Sequence, residues 1–292
     1  MSRLRRDVED AWRRLEHPPV PLCTVATPHG TVEYVDLGGP GRPVLVLHGN
    51  NGGWDQGVDW ARRRLGEGAR AIAVSRYGYL GSELPADAST EGQGDALACL
   101  LDAVGLDRVR VVSLSAGSTA AVRLALRHPD RVERLVLESP VLPAKRPTPT
   151  LPAFVLRALL RGERGVWWST RHPTALAHGS GLGWRALDAE GRGELAAISA
   201  TMLPVAARRA GMMFDFTVSA PQMLADTLRW EKITCPTLVV TATDSPLPRP
   251  ADAAAITARL PHGRLLVLPA GGHLLLGNVA KLRGELASFL GR

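Results

Sequence analysis

The sequence predicts an α/β fold: a mostly parallel sheet flanked by helices, with an inserted helical lid. Short runs of β-branched residues alternate with longer amphipathic segments up to about residue 140 and again after residue 230. Strands that alternate with helices pair in parallel through right-handed crossovers. Residues 141–230 differ, with helical patterns and several prolines but no convincing strand, and such an insertion is too long to be a plain loop.

The predicted elements follow the chain in a regular order. The first two strands form an antiparallel hairpin that turns at His29 and Gly30. Buried strands follow at 42–49, 69–75, 108–114, 131–139, 235–242 and 263–269. Helices are predicted at 91–105, 116–128 and 250–261 and at the C-terminus.

The N-terminal segment predicts a short docking helix, since Leu4, Val8, Trp12 and Leu15 share one stripe at helical spacing. We therefore expect three parts in the chain: a docking helix at 1–20, a core at 21–140 and 231–292, and a helical lid at 141–230.

Composition and charge argue against several classes of protein. The 292 residues carry a formal net charge of +7, almost wholly from arginine, since only Lys145, Lys232 and Lys281 are lysines. The arginines are scattered without interleaved aromatic residues, so we predict a solvated surface and no nucleic-acid partner. No apolar run reaches the roughly 18 residues that a bilayer span requires, and the N-terminus lacks a signal-peptide pattern. We expect a cytoplasmic protein with no membrane span.

The cysteines argue against a disulfide framework or a zinc site. Cys23, Cys99 and Cys235 are odd in number, far apart and without a CxxC spacing, which favours reduced thiols. The sequence also contains no metal-ligand cluster and no nucleotide-binding glycine motif. We therefore predict no metal and no other cofactor.

The stretch VVSLSAGSTAA, residues 111–121, places three serines between a β-branched run and a helical pattern. A nucleophilic serine needs an exposed position on a rigid scaffold, beside donors that stabilise an oxyanion. A sharp strand-to-helix turn meets these needs, and it requires small residues two positions before and after the nucleophile. Only Ser115 has that arrangement, with Ser113 before it and Gly117 after it. A serine that merely caps a helix is the alternative from this stretch alone.

Two other strand ends carry groups that suit the same chemistry. The segment VLVLHGNNGG ends a strand in a glycine-rich turn, where backbone N–H groups can face the same pocket. His273 follows a later strand, and Asp244 lies between them in TATDSP. A lone histidine there is usually structural, but the chain order Ser, Asp, His is one of the known orders of a catalytic triad.

Together these pieces resemble the α/β-hydrolase superfamily, in its lid-bearing branch. The matching segments are LVLHGN, SRYGYLGS, SLSAGS, LALRHPDRVERLVLESP, CPTLVVTATDSP and PAGGHLLLG, in the family's order and at family-like separations. The resemblance implies an α/β-hydrolase fold in which Ser115 is the nucleophile and His273 the base. It further implies an oxyanion hole formed by the backbone N–H groups of Asn50 and Ala116.

Two small residues depart from the family pattern. Ser113 stands where the family has glycine, and we expect a tolerated variant whose hydroxyl bonds to the backbone. Ser75 stands where the family has an aspartate that is mainly structural, so we expect little to be lost.

The acid that would orient His273 is displaced from its family position. That position is occupied by Ser245, whereas Asp244 lies one residue earlier, beyond the strand end, where such a shift can be absorbed. We therefore choose Asp244. The alternative acid is Glu138, at the end of RLVLES, and a third possibility leaves the histidine with no acid.

These motifs predict a serine hydrolase that forms an acyl-enzyme intermediate on an ester or a similarly activated carbonyl. The alternatives are a ligand-binding or non-hydrolytic protein on this fold, a carbon–carbon bond hydrolase, and an aminopeptidase. The expected partner is a small-molecule substrate. The sequence leaves open whether the protein is a monomer or a homodimer.

The lid is expected to select the substrate, because it roofs the crevice at the strand ends. The apolar lid residues expected to contact substrate are Trp167, Trp168, Met212, Met213, Phe214 and Phe216. Those expected to pack inside the lid are Leu195, Ile198, Met202 and Val205. Asp215 is expected to be a surface carboxylate, with a contact to a polar substrate group as the alternative.

Overall fold

Eight strands form one sheet in the computed structural model, which describes residues 2–144 and 152–291. The strands are β1 (Cys23–Thr27), β2 (Gly30–Asp36), β3 (Val44–Leu47), β4 (Ala71–Val74), β5 (Val109–Leu114), β6 (Val132–Glu138), β7 (Thr237–Ala242) and β8 (Gly263–Leu268). Their order across the sheet is β1-β2-β4-β3-β5-β6-β7-β8. Strand β2 pairs antiparallel with β1 and with β4, and the other pairs are parallel. The prediction of a mostly parallel sheet is confirmed.

Twelve α-helices are formed by the described residues. They are α1 (Arg3–Glu16), α2 (Trp54–Arg64), α3 (Thr90–Ala103), α4 (Ser118–Arg127), α5 (Ala153–Leu159), α6 (Arg164–Arg171), α7 (Pro173–Gly179), α8 (Ala189–Ala200), α9 (Arg209–Phe214), α10 (Ala220–Leu224), α11 (Pro250–Thr257) and α12 (Val279–Leu290).

The central strands are buried on both faces, which explains their nearly continuous apolar sequence. Along β3, Leu45 and Leu47 pack with the helices α3, α4 and α11 on one face. Val44 and Val46 point to the other face and pack with α2 and α12. This alternation follows from the two-residue period of a strand. It gives the sheet two apolar layers, as predicted for helices on both sides.

The segment between β6 and β7 is helical in its described part. Helices α5 to α10 lie there, and no strand occurs among the described residues between 152 and 230. Residues 145–151, which belong to the predicted lid, lie outside the described residues. The end of the segment joins the main core, where Phe214, Met223 and Trp230 are almost fully buried.

The N-terminal helix α1 packs against the helical segment. The indole Nε1 of Trp167 donates a 2.7 Å hydrogen bond to Asp7. The buried residue of α1 is Ala11, whereas Trp12 is 39 % exposed. The predicted stripe therefore has the right period but one wrong member, because Ala11 rather than Trp12 meets the apolar cluster around Tyr79.

No helix within the described ranges is both long enough and apolar enough to cross a bilayer. Cys23, Cys99 and Cys235 are free thiols.

Candidate active site

Ser115 occupies a strained turn between a strand and a helix. Strand β5 ends at Leu114, a single 3₁₀ turn follows, and α4 begins at Ser118. The φ angle of Ser115 is +46°, in the left-handed region that non-glycine residues seldom adopt. Such strain is typical of functional sites on rigid scaffolds. This turn holds the serine at the carboxyl end of the sheet.

Small residues are required on both sides of the turn. A Cβ atom on Gly117 would lie 2.6 Å from the carbonyl oxygens of Leu47 and His48, so only glycine fits there. Ser113 is fully buried, and its hydroxyl lies 3.4 Å from the Val136 carbonyl, to which it donates. Position 113 thus accepts a serine because the neighbouring strand β6 provides a hydrogen-bond acceptor for its hydroxyl.

His273, in the loop after β8, contacts the serine directly. Its Nε2 lies 2.8 Å from Ser115 Oγ. Its Nδ1 hydrogen-bonds to the backbone carbonyl of Leu247, so Nδ1 carries the proton and Nε2 is free to accept. Burial lowers the pKa of His273 below its ordinary 6.5, and the bond to Leu247 opposes that shift. The ring is therefore neutral at pH 7 and oriented to take a proton from the serine.

Within the described residues, neither candidate acid is hydrogen-bonded to His273. Asp244 lies just beyond β7, where its carboxylate accepts the backbone N–H groups of Gly272 at 2.8 Å and Gly271 at 3.3 Å. These bonds shape the loop that carries the histidine, while the Leu247 carbonyl occupies Nδ1 itself.

Glu138 is likewise engaged elsewhere. Its Oε2 accepts a 2.9 Å hydrogen bond from Trp60 Nε1. Burial raises the pKa of this carboxyl, and the charge of Arg64 opposes the shift. Glu138 thus belongs to a polar cluster across β6, apart from the imidazole.

The loop after β3 presents its backbone to Ser115 and is held from behind. The ring of His48 donates from Nδ1 to the Gly49 carbonyl and accepts the N–H of Arg76 at Nε2. The Arg76 guanidinium donates to the carbonyls of His48 and Gly49, at 2.9 and 3.2 Å. Arg208 donates to the carbonyl of Gly52 at 2.7 Å. Gly49 and Asn50 are the residues of this loop that line the cavity. The Gly49 N–H donates to Gln56 Oε1 at 2.9 Å, whereas the Asn50 N–H has no partner within the described residues.

Asp215 is buried, which corrects the expectation of a surface carboxylate. It forms a bidentate pair with Arg76, with N–O distances of 2.7 and 2.6 Å, and both side chains are at most 2 % exposed. Tyr79 donates a further 2.6 Å bond to it. Asp215 and Arg76 are 139 residues apart in sequence. Because Arg76 also donates to the carbonyls of His48 and Gly49, the pair connects the helical segment to the loop after β3.

Ser75, at the position of the family aspartate, is supported by Glu33, which the sequence analysis missed. The Ser75 hydroxyl donates to Glu33 at 2.8 Å and accepts the backbone N–H of Trp54 at 3.2 Å. Glu33 is buried, and burial raises its pKa. A carboxylate from β2 therefore stands near the place where the family pattern has one on the loop after β4.

A cavity of about 240 Å³ opens on Ser115 and His273. Its wall includes Asn50 from the loop after β3, Trp60 and Arg64 from α2, and Glu138 from β6. From the helical segment it takes Leu176, Glu194, Ile198 and Met202. Of the residues expected to pack inside the lid, Leu195 and Val205 are fully buried, and Ile198 packs against the cluster around Leu195. Ile198 and Met202 also line the cavity.

The aromatic and methionine residues expected to bind substrate are not among the residues that line this cavity. Trp167 is bonded to Asp7 of α1. Trp168 is 51 % exposed and stacks on His172. The others lie against the core or at the surface: Met212, Met213, Phe214 and Phe216. Apolar character alone did not distinguish a cavity wall from a packed interior.

Helix α7 contacts the loop that carries the histidine. The backbone N–H of His273 donates to the Ser180 carbonyl at 2.7 Å, just past the end of α7. A side chain at Gly272 would strike that same carbonyl. A Cβ atom on Gly181, whose φ is +92°, would lie 2.5 Å from the carbonyl oxygen of Asp244, so the end of α7 also approaches that loop closely.

Over residues 2–144 and 152–291, the structure contains no group of three or more His, Cys, Asp or Glu side chains that could hold a metal ion.

Comparisons with known proteins agree with this geometry. A family model described as alpha/beta hydrolase fold matches residues 42–278. The "Putative carbamate hydrolase RutD" of Caulobacter sp. (strain K31) is 29 % identical over 255 residues, 81 % of this chain and 86 % of that protein. The 2-hydroxymuconate semialdehyde hydrolase of Pseudomonas sp. (strain CF600) is 36 % identical over 103 residues, 34 % of this chain and 36 % of that protein. A solved alpha/beta hydrolase fold protein from Nakamurella multipartita superposes with a TM-score of 0.72 at 31 % identity, covering 92 % of this chain and 99 % of that one.

The buried pair predicts a large effect of Asp215→Ala. Removing the carboxylate leaves Arg76 charged and buried, so we expect a loss of about 3–5 kcal/mol in the free energy of unfolding. Glu285→Ala is the matched control, because its pair with Arg264 is solvent-exposed and such pairs contribute about 0–1 kcal/mol. Urea denaturation of both variants measures the difference. Equal small losses would show that the pair does not hold the helical segment.

Proposed function

Because the chain belongs to the α/β-hydrolase family, we propose that it is a serine hydrolase acting on an ester or a similarly activated carbonyl. The observation that carries the proposal is the 2.8 Å contact between Ser115 Oγ and His273 Nε2, at a strained turn that opens on a cavity. A nucleophile within hydrogen-bond reach of an oriented base is the arrangement that acyl transfer through a serine requires.

In the proposed reaction, Ser115 Oγ attacks the substrate carbonyl carbon while its proton passes to His273 Nε2. The carbonyl oxygen becomes an oxyanion and accepts hydrogen bonds from the N–H groups of Asn50 and Ala116. The Asn50 N–H donates to no other residue within the described chain, which supports this assignment. His273 then returns the proton to the leaving group. Water hydrolyses the acyl-enzyme by the same route.

We further propose that the Leu247 carbonyl orients His273 and that Asp244 acts through the loop. A hydrogen bond at Nδ1 fixes the tautomer in which Nε2 accepts a proton. The two bonds from Gly271 and Gly272 to Asp244 hold that loop in place. In this scheme Asp244 is a positioning residue rather than a direct partner of the imidazole.

We propose that the helical segment at 141–230 acts as a lid that selects the substrate. Support comes from Leu176, Ile198 and Met202, which contribute an apolar face to the cavity beside the nucleophile. A roof of this kind excludes water and strengthens the electrostatic contacts beneath it.

Hydrolysis of a carbon–carbon bond next to a carbonyl is the second candidate reaction. One of the similar proteins is named for a semialdehyde, a substrate that carries no ester. The same serine and histidine would serve this reaction, since the attacked group is again a carbonyl. A panel of p-nitrophenyl esters of increasing acyl length, p-nitrophenyl amides and 1,3-diketones separates these activities.

Labelling with a fluorophosphonate probe tests the nucleophile. We expect the wild-type protein to be labelled at Ser115, because His273 makes its oxygen nucleophilic, and Ser115→Ala to lose the label. Ser113→Ala is the matched control two residues away, and it should keep the label. Mass spectrometry of the labelled peptide identifies the serine. An inert wild-type protein would instead favour a ligand-binding role on this fold.

Replacement of the two carboxylates tests what orients His273. With the Leu247 carbonyl as its partner, we expect Asp244→Asn to lower kcat by about tenfold through a loosened loop. Loss of a triad acid costs about 10⁴ in the serine proteases. Steady-state kinetics on the best ester of the panel measures both variants. A loss near 10⁴ in Asp244→Asn would return Asp244 to the triad, and the same loss in Glu138→Gln would assign that role to Glu138.

The lowered pKa of His273 predicts the pH dependence. Protonation of Nε2 removes the base, so kcat/KM should fall as the pH drops through the pKa of the free enzyme's histidine. We expect the midpoint of this acid limb below pH 6.5, because burial disfavours the charged ring. Circular dichroism over the same range controls for unfolding. A midpoint above 6.5 would contradict this scheme and indicate a carboxylate paired with the imidazolium.

A further inference from the structure

We propose that Arg64, Glu138 and Ser139, here called the polar wall, form a subsite for an uncharged polar group of the substrate that both donates and accepts hydrogen bonds, such as a primary amide. This inference rests on the proposed hydrolase function and specifies the substrate of that site. The three residues line the same cavity as Ser115 and His273.

The polar wall has hydrogen-bonding capacity that the protein does not use. Within the described chain, no partner is present for Arg64 Nε, Glu138 Oε1 or Ser139 Oγ. The residues are only 4 %, 4 % and 3 % exposed. Buried polar atoms are nearly always paired, because leaving them unpaired is costly. Three such atoms on the wall of one cavity indicate a partner that enters the cavity.

In both Arg64 and Glu138, one polar atom is bound by a neighbouring side chain and another has no hydrogen-bond partner. Glu138 Oε2 is fixed by Trp60, which leaves Oε1 unpaired. Arg64 Nη1 forms an ion pair with Glu194 Oε1 at 2.9 Å, and Arg64 Nε is left without a hydrogen-bond partner. Glu194 is itself held by the backbone N–H of Gly277 at 2.7 Å. The wall is thus pre-organised, which lowers the cost of binding.

Ser139 reinforces this arrangement from the end of β6. Its φ angle is +44°, so it shares the rare left-handed conformation of Ser115 at the end of the adjacent strand β5. The hydroxyl can both donate and accept. The two serines therefore present one nucleophile and one unused hydroxyl to the same cavity.

The balance of charge selects the class of ligand. The cation of Arg64 stands among two carboxyl groups, Glu138 and Glu194, and burial raises the pKa of both. A carboxylate on the substrate would leave Glu138 Oε1 without a donor, and an ammonium group would leave Arg64 Nε without an acceptor. A primary amide supplies a carbonyl oxygen for Arg64 Nε and the Ser139 hydroxyl, and an N–H for Glu138 Oε1. An apolar group would satisfy neither.

The neighbouring Arg63 also lines the cavity, but its guanidinium is already hydrogen-bonded within the protein. Its Nε and Nη2 donate to the two carboxylate oxygens of Asp59, at 2.9 and 2.7 Å. Both residues line the cavity, but this guanidinium is engaged in a bidentate pair and partly solvated. Arg63 is therefore the control position for Arg64.

The test compares three p-nitrophenyl esters whose acyl chains have the same length and shape. One chain ends in a primary amide (glutaramate), one in an isopropyl group (5-methylhexanoate) and one in a carboxylate (glutarate). We expect the wild-type kcat/KM for the amide to exceed that for the isopropyl ester by about tenfold, the size of one hydrogen bond to a buried charged group. The carboxylate ester should also be a poorer substrate than the amide, because it offers no donor to Glu138 Oε1.

Variants of the polar wall should reduce this preference. The charge-balanced double variant Arg64→Met with Glu194→Gln, and the single variant Ser139→Ala, should each bring the amide-to-isopropyl ratio of kcat/KM toward one. Arg63→Met should keep the wild-type ratio. Ser139→Ala changes no charge, so it carries the test even if the double variant does not fold.

The outcomes separate this inference from the proposed function. If Ser115-dependent hydrolysis is found but the amide has no advantage, or the carboxylate ester is preferred, the polar wall does not recognise a neutral group and the inference is overturned. If none of the esters is hydrolysed in a Ser115-dependent way, the proposed function fails, and the subsite fails with it.

Discussion

The buried pair between Arg76 and Asp215 fixes the relation between the two halves of the site. Removing two charges from water is costly, and the cost is met only when every donor and acceptor is matched. Here the guanidinium binds the carboxylate with two nitrogens and the carbonyls of His48 and Gly49 with its remaining hydrogens. One side chain thus positions both the helical segment and the loop that faces the nucleophile.

Backbone strain is concentrated around that cavity. Six non-glycine residues of the described chain have a positive φ, and four of them are Asn51, Ser115, Ser139 and Leu275, on or next to its wall. Each costs about 1–3 kcal/mol and persists only where the surroundings determine it. The sheet provides those surroundings, since Ser115 and Ser139 immediately follow the paired strands β5 and β6. The strain is located where side chains must project from strand ends.

Local patterns in the sequence predicted the scaffold and the two side chains, Ser115 and His273, that the structure places in contact. The two-residue and helical periods predicted the strands and most core helices, and the spacing of small residues singled out Ser115. Contacts distant in sequence were not predictable in this way. The burial of Asp215 depends on Arg76, far away in the chain, and the support of Ser75 comes from Glu33 on another strand.

Within the helical segment, apolar residues occur on several faces of short helices. Hydrophobicity therefore did not distinguish Met212, which is packed, from Met202, which lines the cavity. The role of the Leu247 carbonyl was equally hidden, because backbone groups leave no signature in the sequence. For Asp244, the family pattern gave the right loop but not the hydrogen-bond partners of the carboxylate.

The hydrogen bond from the His273 N–H to the Ser180 carbonyl joins the loop that carries His273 to the end of helix α7. In the lid role proposed above, a movement of α7 away from the cavity would break this bond and loosen the loop that carries His273. Access to the cavity and the orientation of the imidazole would then be coupled through one backbone hydrogen bond.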